Sequence, residues 1–420
     1  MKFTKSKKLF WSCILGNALE LYDFTLYGVF TPLIAINFFP IVDDLSSFFA
    51  SLTALTIGYF ARPIGAMLFG YIGDKYGRKK SLILTMMMMS IATGTIGLCP
   101  SYAFIGVASS IILFLARFIQ GLCAGGETTG ATIFLIESNP ERSSSFSSAM
   151  IFVSGGIGCL IALFLGNIFL SIGHSWGWRI PFLLGLLFGI FLLWLRLKTE
   201  ESPEFIKLIS NKKFITKFPI VDIMLKYPIG LTRAILCGAL SGVMSSTIIV
   251  FINLFLYKVI KLQLQSSLSY SAIGLVAFLL ASFFCTQISS SSMRNKTILF
   301  GSLGLIITAY PYFYILSTGV NFLIIIAQLI LGLFSGCFVS LINSYLSEQF
   351  PLTVRFSGVS VGYNLGYAVC AGLFPILSFK LIDITGNIFS PAIYIIVIGI
   401  LSSMAIGINY QKSKFTNVLE

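Results

Sequence analysis

The chain has 420 residues, of which 56% are hydrophobic and only 10% are charged. A soluble globular domain carries about 25% charged residues, so the composition excludes that class and indicates an integral membrane protein. The net charge of +13 would elsewhere suggest nucleic-acid binding. Here the basic residues fall in short segments between apolar runs, where membrane topology explains them, and no nucleic-acid partner is expected.

Long apolar runs define the predicted elements. A helix needs about 20 apolar residues to cross the hydrocarbon core, whereas a membrane β-barrel shows alternating segments of about ten residues. The continuous runs therefore predict an all-α protein with twelve transmembrane helices. In chain order these are 9–39, 45–72, 82–99, 103–136, 146–171, 180–197, 228–257, 266–289, 297–316, 320–347, 357–381 and 389–410.

The loops between these spans predict orientation and domains. Most lysines and arginines lie in segments that share a side with the N-terminus, which places both termini in the cytoplasm. The longest charged loop divides the spans six and six. We therefore expect an N-terminal six-helix bundle over 1–197, a cytoplasmic linker over 198–227 and a C-terminal six-helix bundle over 228–420.

The two halves are related by an internal repeat. The separation in sequence between Gly121 and Gly332 equals that between Glu137 and Glu348. Gly121 and Glu137 belong to the fourth span, and Gly332 and Glu348 belong to the tenth. Each span is rich in glycine and ends in Glu-x-x-Pro, and the two spans run in the same direction. A parallel repeat of this kind predicts a binding site between the halves, near the bilayer midplane.

Five ionisable side chains lie well within predicted spans, all in the first half. A charge inside the bilayer is costly, so such residues mark either buried ion pairs or a substrate and proton pathway, and the group favours the pathway. A carboxyl in a low-dielectric cavity can take up and release a proton, and an arginine can clamp a carboxylate. The five residues are Glu20, Asp23, Arg62, Arg117 and Glu127.

Spacing places these residues on helix faces. Steps of three and four connect two sets of residues, so each set can face a central cavity. The sets are Asn17, Glu20, Asp23 and Tyr27 on the first span, and Arg117, Gln120, Ala124 and Glu127 on the fourth. We expect Asp23, Glu20 or Glu127 to carry a coupling proton.

Depth suggests one specific pair. At about 1.5 Å per residue, Arg62 and Glu127 lie roughly 15–18 Å above Asp74 and Glu137 respectively. The matched depth predicts that Arg62 and Glu127 pair with each other.

The inward candidates of the second half are neutral, and each suits a helix–helix hydrogen bond or a substrate contact. Of these, Asn364 is assigned to the pathway together with Tyr27. The candidates are Asn253, Gln328, Asn343, Tyr363 and Asn364.

The densest charge cluster is the loop "GYIGDKYGRKK" over Gly70–Lys80, between the second and third spans. A positive-inside anchor explains Lys79 and Lys80 but not Asp74 or the spacing of the glycines. This loop resembles the signature loop of the major facilitator superfamily. Other stretches resemble the metabolite:H⁺ symporter family within it, which includes proline/betaine and α-ketoglutarate transporters. They are "NALELYDFTLYG" (17–28), "ARFIQGLCAGGETTGA" (116–131), "WGWRIPFLLG" (176–185), "ESPEF" (201–205) and "EQFPLTVRFSGVSVGYNLGYA" (348–368).

The resemblance implies alternating access, symport of a small metabolite with a proton, and a gate on the cytoplasmic side. Asp74 would meet the start of a helix near Pro351–Ser357, where unpaired N–H groups stabilise a carboxylate. Thr128 and Thr129 depart from the family pattern and are expected to alter the pocket wall. The expected gate residues are Gly70, Asp74, Lys75, Gly77, Arg78, Glu137, Arg142, Glu348 and Arg355.

The sequence therefore predicts a monomeric, proton-coupled transporter of a small organic solute in a bacterial inner membrane, with no cofactor and no metal site. One alternative is facilitated diffusion or exchange without proton coupling on the same fold. A transporter-derived membrane sensor is an alternative of another class. The sequence contains no Walker loop, HExxH or GxSxG motif, and we do not expect an enzyme.

Overall fold

The computed structural model describes residues 5–39, 44–138, 143–171, 176–210, 219–288, 290–351 and 354–416. Regular structure within these ranges is helical, with no strand. Among the described residues, eleven helices are long and apolar enough to cross a membrane, and Pro391–Gly407 is a shorter apolar helix. The predicted twelve-helix architecture is confirmed.

The first half contains α1 (Lys5–Phe38), α2 (Asp44–Tyr76), α3 (Arg78–Leu98), α4 (Tyr102–Ile105), α5 (Val107–Ser138), α6 (Ser144–Ser171) and α7 (Ile180–Leu197). Two short helices follow, α8 (Pro203–Ser210) and α9 (Pro219–Lys226). The second half contains α10 (Pro228–Ser246), α11 (Ile252–Lys258), α12 (Leu264–Cys285), α13 (Ser291–Ser317), α14 (Asn321–Ser347), α15 (Arg355–Thr385) and α16 (Pro391–Thr416).

Several helices differ from the predicted spans at their ends. The span predicted over 228–257 consists of α10 and α11 joined by a π-helical turn, Thr247–Phe251. The span predicted over 103–136 is broken at Gly106, whose φ of 58° separates α4 from α5. Helices α3 and α15 begin before the predicted spans because helical hydrogen bonding continues through charged residues, which a hydropathy window excludes.

The packing of the first half recurs in the second. Helix α1 packs against α6 and α2 against α5, and in the same way α10 packs against α15 and α12 against α14. The two halves meet through α2 with α15 and through α6 with α12. This pseudo-symmetric packing encloses a central space. The boundaries 1–197, 198–227 and 228–420 stay predictions, because only parts of the linker are described.

Glycines bring α2 and α5 into backbone contact. A side chain at Gly121 would overlap the carbonyl of Gly58, and one at Gly125 would overlap the carbonyl of Arg62. Small residues at such crossings let membrane helices approach closely. The tight crossing fixes where Arg62 sits relative to α5.

We expect Gly125→Ala to destabilise the fold by about 1–3 kcal/mol, because the added methyl has no room between α5 and α2. Thermal unfolding of the detergent-solubilised protein measures the change. Gly407→Ala is the matched control, since a Cβ there meets no atom within 4 Å. Equal unfolding temperatures for the two variants would contradict the close crossing.

Candidate transport site and gate

A central cavity lies between the two halves, and the free space in and around it, including space open to solvent, is about 630 Å³. The first half contributes Arg62 and Thr128, and the second half contributes Tyr363, Asn364 and Tyr367. Most of the remaining wall is apolar, with Phe152, Met244, Ile248, Leu275 and Phe278 among its members. The cavity therefore suits a small solute with an apolar body and few charged groups.

Among the described residues, Arg62 is the one arginine that lines the cavity. Its guanidinium carbon lies 4.4 Å from the ring centre of Phe24, 4.7 Å from that of Tyr367 and 5.4 Å from that of Tyr59. These ring faces hold the cation from α1, α2 and α15. Its Nε and Nη2 atoms have no hydrogen-bond partner among the described residues. Arg62 is thus a positioned cation with donors left for a ligand.

Glu20 is the counter-charge of Arg62. Its Oε1 atom lies 3.5 Å from Arg62 Nη2. This oxygen accepts no hydrogen bond from a described residue. Thr128 Oγ1 lies 2.7 Å from Glu20 Oε2 and 2.9 Å from Asn17 Oδ1. Because a hydroxyl has one proton, Thr128 can donate to only one of them at a time. The charge state of Glu20 therefore affects the local hydrogen bonding of the wall.

A second polar network lies behind this wall, inside the first half. Thr93 donates to Asp23 Oδ2 at 2.5 Å and accepts from Gln120 at 2.8 Å. Gln120 in turn accepts from Arg117 at 2.8 Å. Asp23 Oδ1 and two nitrogens of Arg117 have no hydrogen-bond partner among the described residues. Asp23 and Arg117 were expected to face the cavity, but neither lines it.

Phe24 separates the two networks. The guanidinium carbon of Arg117 lies 4.5 Å from the centre of the Phe24 ring, on which Arg62 also packs. The same carbon lies 4.4 Å from the ring centre of Tyr27, whose hydroxyl donates to the Ser51 carbonyl at 3.2 Å. Tyr27 thus belongs to the inner network, away from the cavity wall.

The expected pair between Arg62 and Glu127 is wrong. Glu127 accepts two hydrogen bonds from Arg196, at 2.7 and 3.1 Å, and a third from Thr85 at 2.6 Å. Arg196 also donates to the carbonyls of Leu82 and Ser12. Depth along a helix says nothing about its rotation, and α5 turns Glu127 toward α7 and away from α2. The sequence analysis did not identify Arg196 as a partner of Glu127, because Arg196 lies at the end of an apolar helix and was counted among the loop cations.

Asn364 lines the cavity and also joins the two halves. Its amide donates to the Gly125 carbonyl of α5 at 3.0 Å and to the Ser360 carbonyl of its own helix at 2.9 Å. Nearby, the hydroxyls of Thr129 and Ser360 are 2.6 Å apart. Of the predicted pathway residues, Arg62 and Asn364 line the cavity, and Glu20 reaches it through Arg62.

The predicted gate residues meet where α2 ends and α15 begins, which we call the Asp74 end. Asp74 Oδ2 accepts from the hydroxyl of Ser357 at 2.5 Å and from its backbone N–H at 3.3 Å. Ser357 lies in the first turn of α15, where N–H groups lack partners within the helix. Arg78 pairs with Asp74 at 3.2 Å and with Glu137 at 3.2 Å. One carboxylate thus contacts both halves.

The glycines of this loop permit its geometry. Gly77 caps α3 with a φ of 113°, a conformation that other residues rarely adopt. Gly70 packs on the backbone of Ser357, where a Cβ would lie 3.4 Å from the Ser357 Cα atom. The glycine spacing therefore has two separate causes, a turn and an interhelical contact.

Three further gate candidates have hydrogen-bond partners other than Asp74. Lys75 is exposed and donates to the Tyr71 hydroxyl at 2.5 Å. Glu348, the repeat counterpart of Glu137, accepts from Arg294 at 2.6 and 2.7 Å. Arg355 donates to a backbone carbonyl of Phe350. Arg142 lies outside the described residues.

The sequence did not indicate that the segment after α7 contacts the predicted gate residues. The Glu201 carboxylate accepts from the Lys79 N–H at 3.1 Å, at the start of α3. Ser202 donates to Glu137 at 3.0 Å, and the Phe205 ring centre lies 5.0 Å from the Arg78 guanidinium carbon. Partial burial raises the pKa of the Glu201 carboxyl. In the sequence, the stretch "ESPEF" resembles a family motif, but this resemblance did not predict its contacts with Lys79, Glu137 and Arg78.

Known proteins share the sequence pattern of this chain. The sequence model described as Major Facilitator Superfamily matches residues 13–375. The proline/betaine transporter of Escherichia coli (strain K12) is 32% identical over 94% of this chain and 82% of its own length. The putative proline/betaine transporter of Staphylococcus aureus (strain MSSA476) is 33% identical, with 96% and 88% covered.

Solved structures share the fold at low identity. The proton:xylose symporter XylE bound to 6-bromo-6-deoxy-D-glucose has a TM-score of 0.75 at 14% identity, covering 97% of this chain and 95% of that one. The human organic anion transporter MFSD10 has a TM-score of 0.67 at 14% identity, with 96% and 100% covered.

The fold, the enclosed cavity and these relatives define a multi-pass membrane transporter of small solutes, and not an enzyme. The chain belongs to the Major Facilitator Superfamily.

The buried pair of Glu127 and Arg196 yields a stability prediction. Removing one partner leaves the other charge buried alone, so we expect Glu127→Gln to cost about 3–5 kcal/mol. Thermal unfolding in detergent measures the loss. Glu348→Gln is the matched control, because Glu348 also pairs with an arginine but is 51% exposed and should cost about 1 kcal/mol or less. Equal losses would show that Glu127 is not held as described.

The contact between Asp74 and Ser357 yields a prediction on gating. Asp74→Asn should weaken a charge-assisted contact by about 1.5–3 kcal/mol and raise the population open at the Asp74 end roughly tenfold or more. Spin labels on unnatural amino acids at Tyr76 and Met293, which are exposed on opposite halves, would measure the distance distribution. Asp383→Asn, at an exposed residue near the other end of α15, is the control. An unchanged distribution in Asp74→Asn would contradict the assignment.

Proposed function

We propose that the protein is a proton-coupled symporter of a small organic solute that carries one carboxylate, such as proline or betaine. It would work by alternating access in a bacterial inner membrane, with both termini cytoplasmic. The observation that carries the proposal is the pair of Arg62 and Glu20 at the cavity wall. Each has an atom without a hydrogen-bond partner among the described residues, and the two charges face each other.

The charge of the cavity wall argues for one carboxylate on the solute. Arg62 is the single cation among its lining residues, and Glu20 already balances it. A second or third carboxylate would find no further cation there, which disfavours dicarboxylates and citrate. A zwitterion or monocarboxylate can place its carboxylate on Arg62 and its apolar body against Tyr363 and Phe278. The names of the curated relatives support the same class.

Competition for Arg62 supplies a coupling step. When Glu20 is ionised it occupies Arg62, and when it takes up a proton its attraction for the guanidinium is lost. Arg62 is then free to bind a solute carboxylate. Release of the solute lets Glu20 give up its proton and pair with Arg62 again. One proton and one solute therefore cross together.

The three candidate proton carriers are not equivalent. Glu127 is fixed by three hydrogen bonds, two of them from Arg196. Glu20 and Asp23 each have one oxygen without a hydrogen-bond partner among the described residues. The geometry favours these two over Glu127 as proton carriers, and Glu20 is the one in contact with the cavity wall.

Contacts at two depths support alternating access. The hydrogen bond between Asp74 and Ser357 closes one end of the α2–α15 interface. Toward the other end, the Thr56 hydroxyl donates to the Gly372 carbonyl at 3.0 Å. The first contact consists of two charge-assisted hydrogen bonds and the second of one neutral hydrogen bond, and the net free energy of each bond is modest, so they can be exchanged when the halves rock. The cavity lies between them and can open to one side at a time.

Transport in liposomes tests the proposal. We expect an inward proton gradient to drive accumulation of labelled proline or betaine, and an uncoupler to collapse it. Glu20→Gln should abolish uphill accumulation while solute counterflow continues, because binding at Arg62 no longer needs a proton. Arg62→Gln should raise the KM for counterflow about tenfold to a hundredfold. Asp383→Asn, at an exposed carboxylate outside the cavity, is the control.

The same assay separates the alternatives. Counterflow that is unaffected by a proton gradient in the unmodified protein would indicate facilitated diffusion or exchange. Solute binding without any counterflow would indicate a membrane sensor. Full uphill transport by Glu20→Gln would refute the coupling step assigned to Glu20.

A further inference from the structure

A second hollow lies on the outer surface of the first half. It is an apolar groove of about 540 Å³ between α1, α6 and α7, lined by Ala18, Tyr22, Ile161, Leu184 and Phe188 among others. Among these lining residues, Tyr22 carries a polar side-chain atom. Its hydroxyl donates to the Pro181 carbonyl at 2.7 Å. The groove therefore offers a ligand apolar surface only.

An aromatic stripe leads from this groove along α7 toward the Asp74 end. Phe188, Phe191 and Trp194 are exposed and follow steps of three, so they share one helix face. Their rings stack in sequence, with centres 6.2 and 6.1 Å apart. The stripe ends at Lys198, whose ammonium lies 3.5 Å from the ring centre of Trp194. Tryptophan and lysine are residues typical of the membrane–water interface.

A parallel stripe runs along α1. From Ala18 in the groove, steps of three and four lead through Leu15 to the exposed Trp11 and then to Lys8. Glu20 lies on the opposite face of α1, toward the cavity. Helices α1 and α7 pack against each other and run in opposite directions, so both stripes end at the same side of the molecule.

The two stripes match in length. Ala18 to Lys8 and Phe188 to Lys198 are equal separations in sequence, each about 15 Å at 1.5 Å per residue. This distance is half of a hydrocarbon core of about 30 Å. The groove therefore lies near the midplane, and both lysines lie at the level of the headgroups of one leaflet. Exposed Glu200 follows Lys198 closely, and the ammonium of Lys79 donates to the Leu197 carbonyl next to Lys198.

We propose that this surface is a binding site for an anionic glycerophospholipid. The end of one acyl chain occupies the groove, the rest of the chain lies along the aromatic stripe, and the phosphate contacts Lys8 and Lys198. A zwitterionic lipid fits the groove equally well but gains less from the lysines. Selectivity for the anionic headgroup thus depends on the lysines, and occupancy of the groove depends on its shape.

Fluorescence quenching tests this site. The protein would be reconstituted in bilayers in which either phosphatidylglycerol or phosphatidylcholine, at the same mole fraction, carries brominated acyl chains. The difference between the unmodified chain and Trp194→Phe isolates the signal of Trp194. We expect brominated phosphatidylglycerol to compete for this position about fivefold better for each lysine involved. The double variant Lys8→Gln/Lys198→Gln should lose the preference, whereas Lys380→Gln, at an exposed lysine near the other end, should retain it.

Filling the groove gives an independent readout. Ile161→Phe should reduce quenching of Trp194 by both lipids, because the chain end can no longer enter. Ile190→Phe places the same ring on an exposed position of α7 away from the stripe and should have no effect. Equal quenching by the two lipids that neither the lysine nor the groove variant changes would mean ordinary surrounding lipid only, and would overturn the proposal.

Discussion

Burial of charge in a medium that cannot solvate it is the constraint on which this structure depends. An isolated guanidinium or carboxylate in the hydrocarbon region costs several kcal/mol, so each must be matched by a partner from another helix. Arg196 with Glu127, Arg78 with Glu137, and Arg62 with Glu20 are such matches. Because each pair joins different helices, the charges fix how the helices of the first half are rotated against one another.

The three pairs differ in how completely they are satisfied, and this separates structural from functional charge. The acceptors of Glu127 are filled by Arg196 and Thr85. Arg62 and Glu20 retain atoms without hydrogen-bond partners among the described residues. Aromatic ring faces orient the Arg62 guanidinium without using its N–H groups. The proposed exchange of Glu20 for a solute carboxylate at Arg62 requires this partial satisfaction. The second half supplies neutral amides and tyrosines, and so shapes the cavity without adding to its charge.

Much of the fold followed from the sequence, because hydropathy reports directly on the number and length of membrane helices. The contact between Asp74 and the start of α15 was also expected, but from the family resemblance of the loop, because Asp74 and Ser357 lie 283 positions apart and no local pattern pairs them. Partnerships between helices were not accessible in the same way. The spacing of Asp23 and Arg117 shows that each lies on a polar face, but not whether that face turns to the cavity or to a neighbouring helix. Arg196 ends its helix, and composition alone cannot distinguish a loop cation from the partner of a buried glutamate.

Phe24 has a consequence of its own. Its ring lies between two guanidinium groups, one in the cavity wall and one in the sealed interior of the first half, at nearly equal distances. The electron-rich faces of a single ring are thus shared by two cations that belong to separate polar networks. Through this ring, Arg62 at the cavity wall and Arg117 in the inner Asp23 network pack against the same apolar side chain, so a displacement of either cation alters the packing of the other.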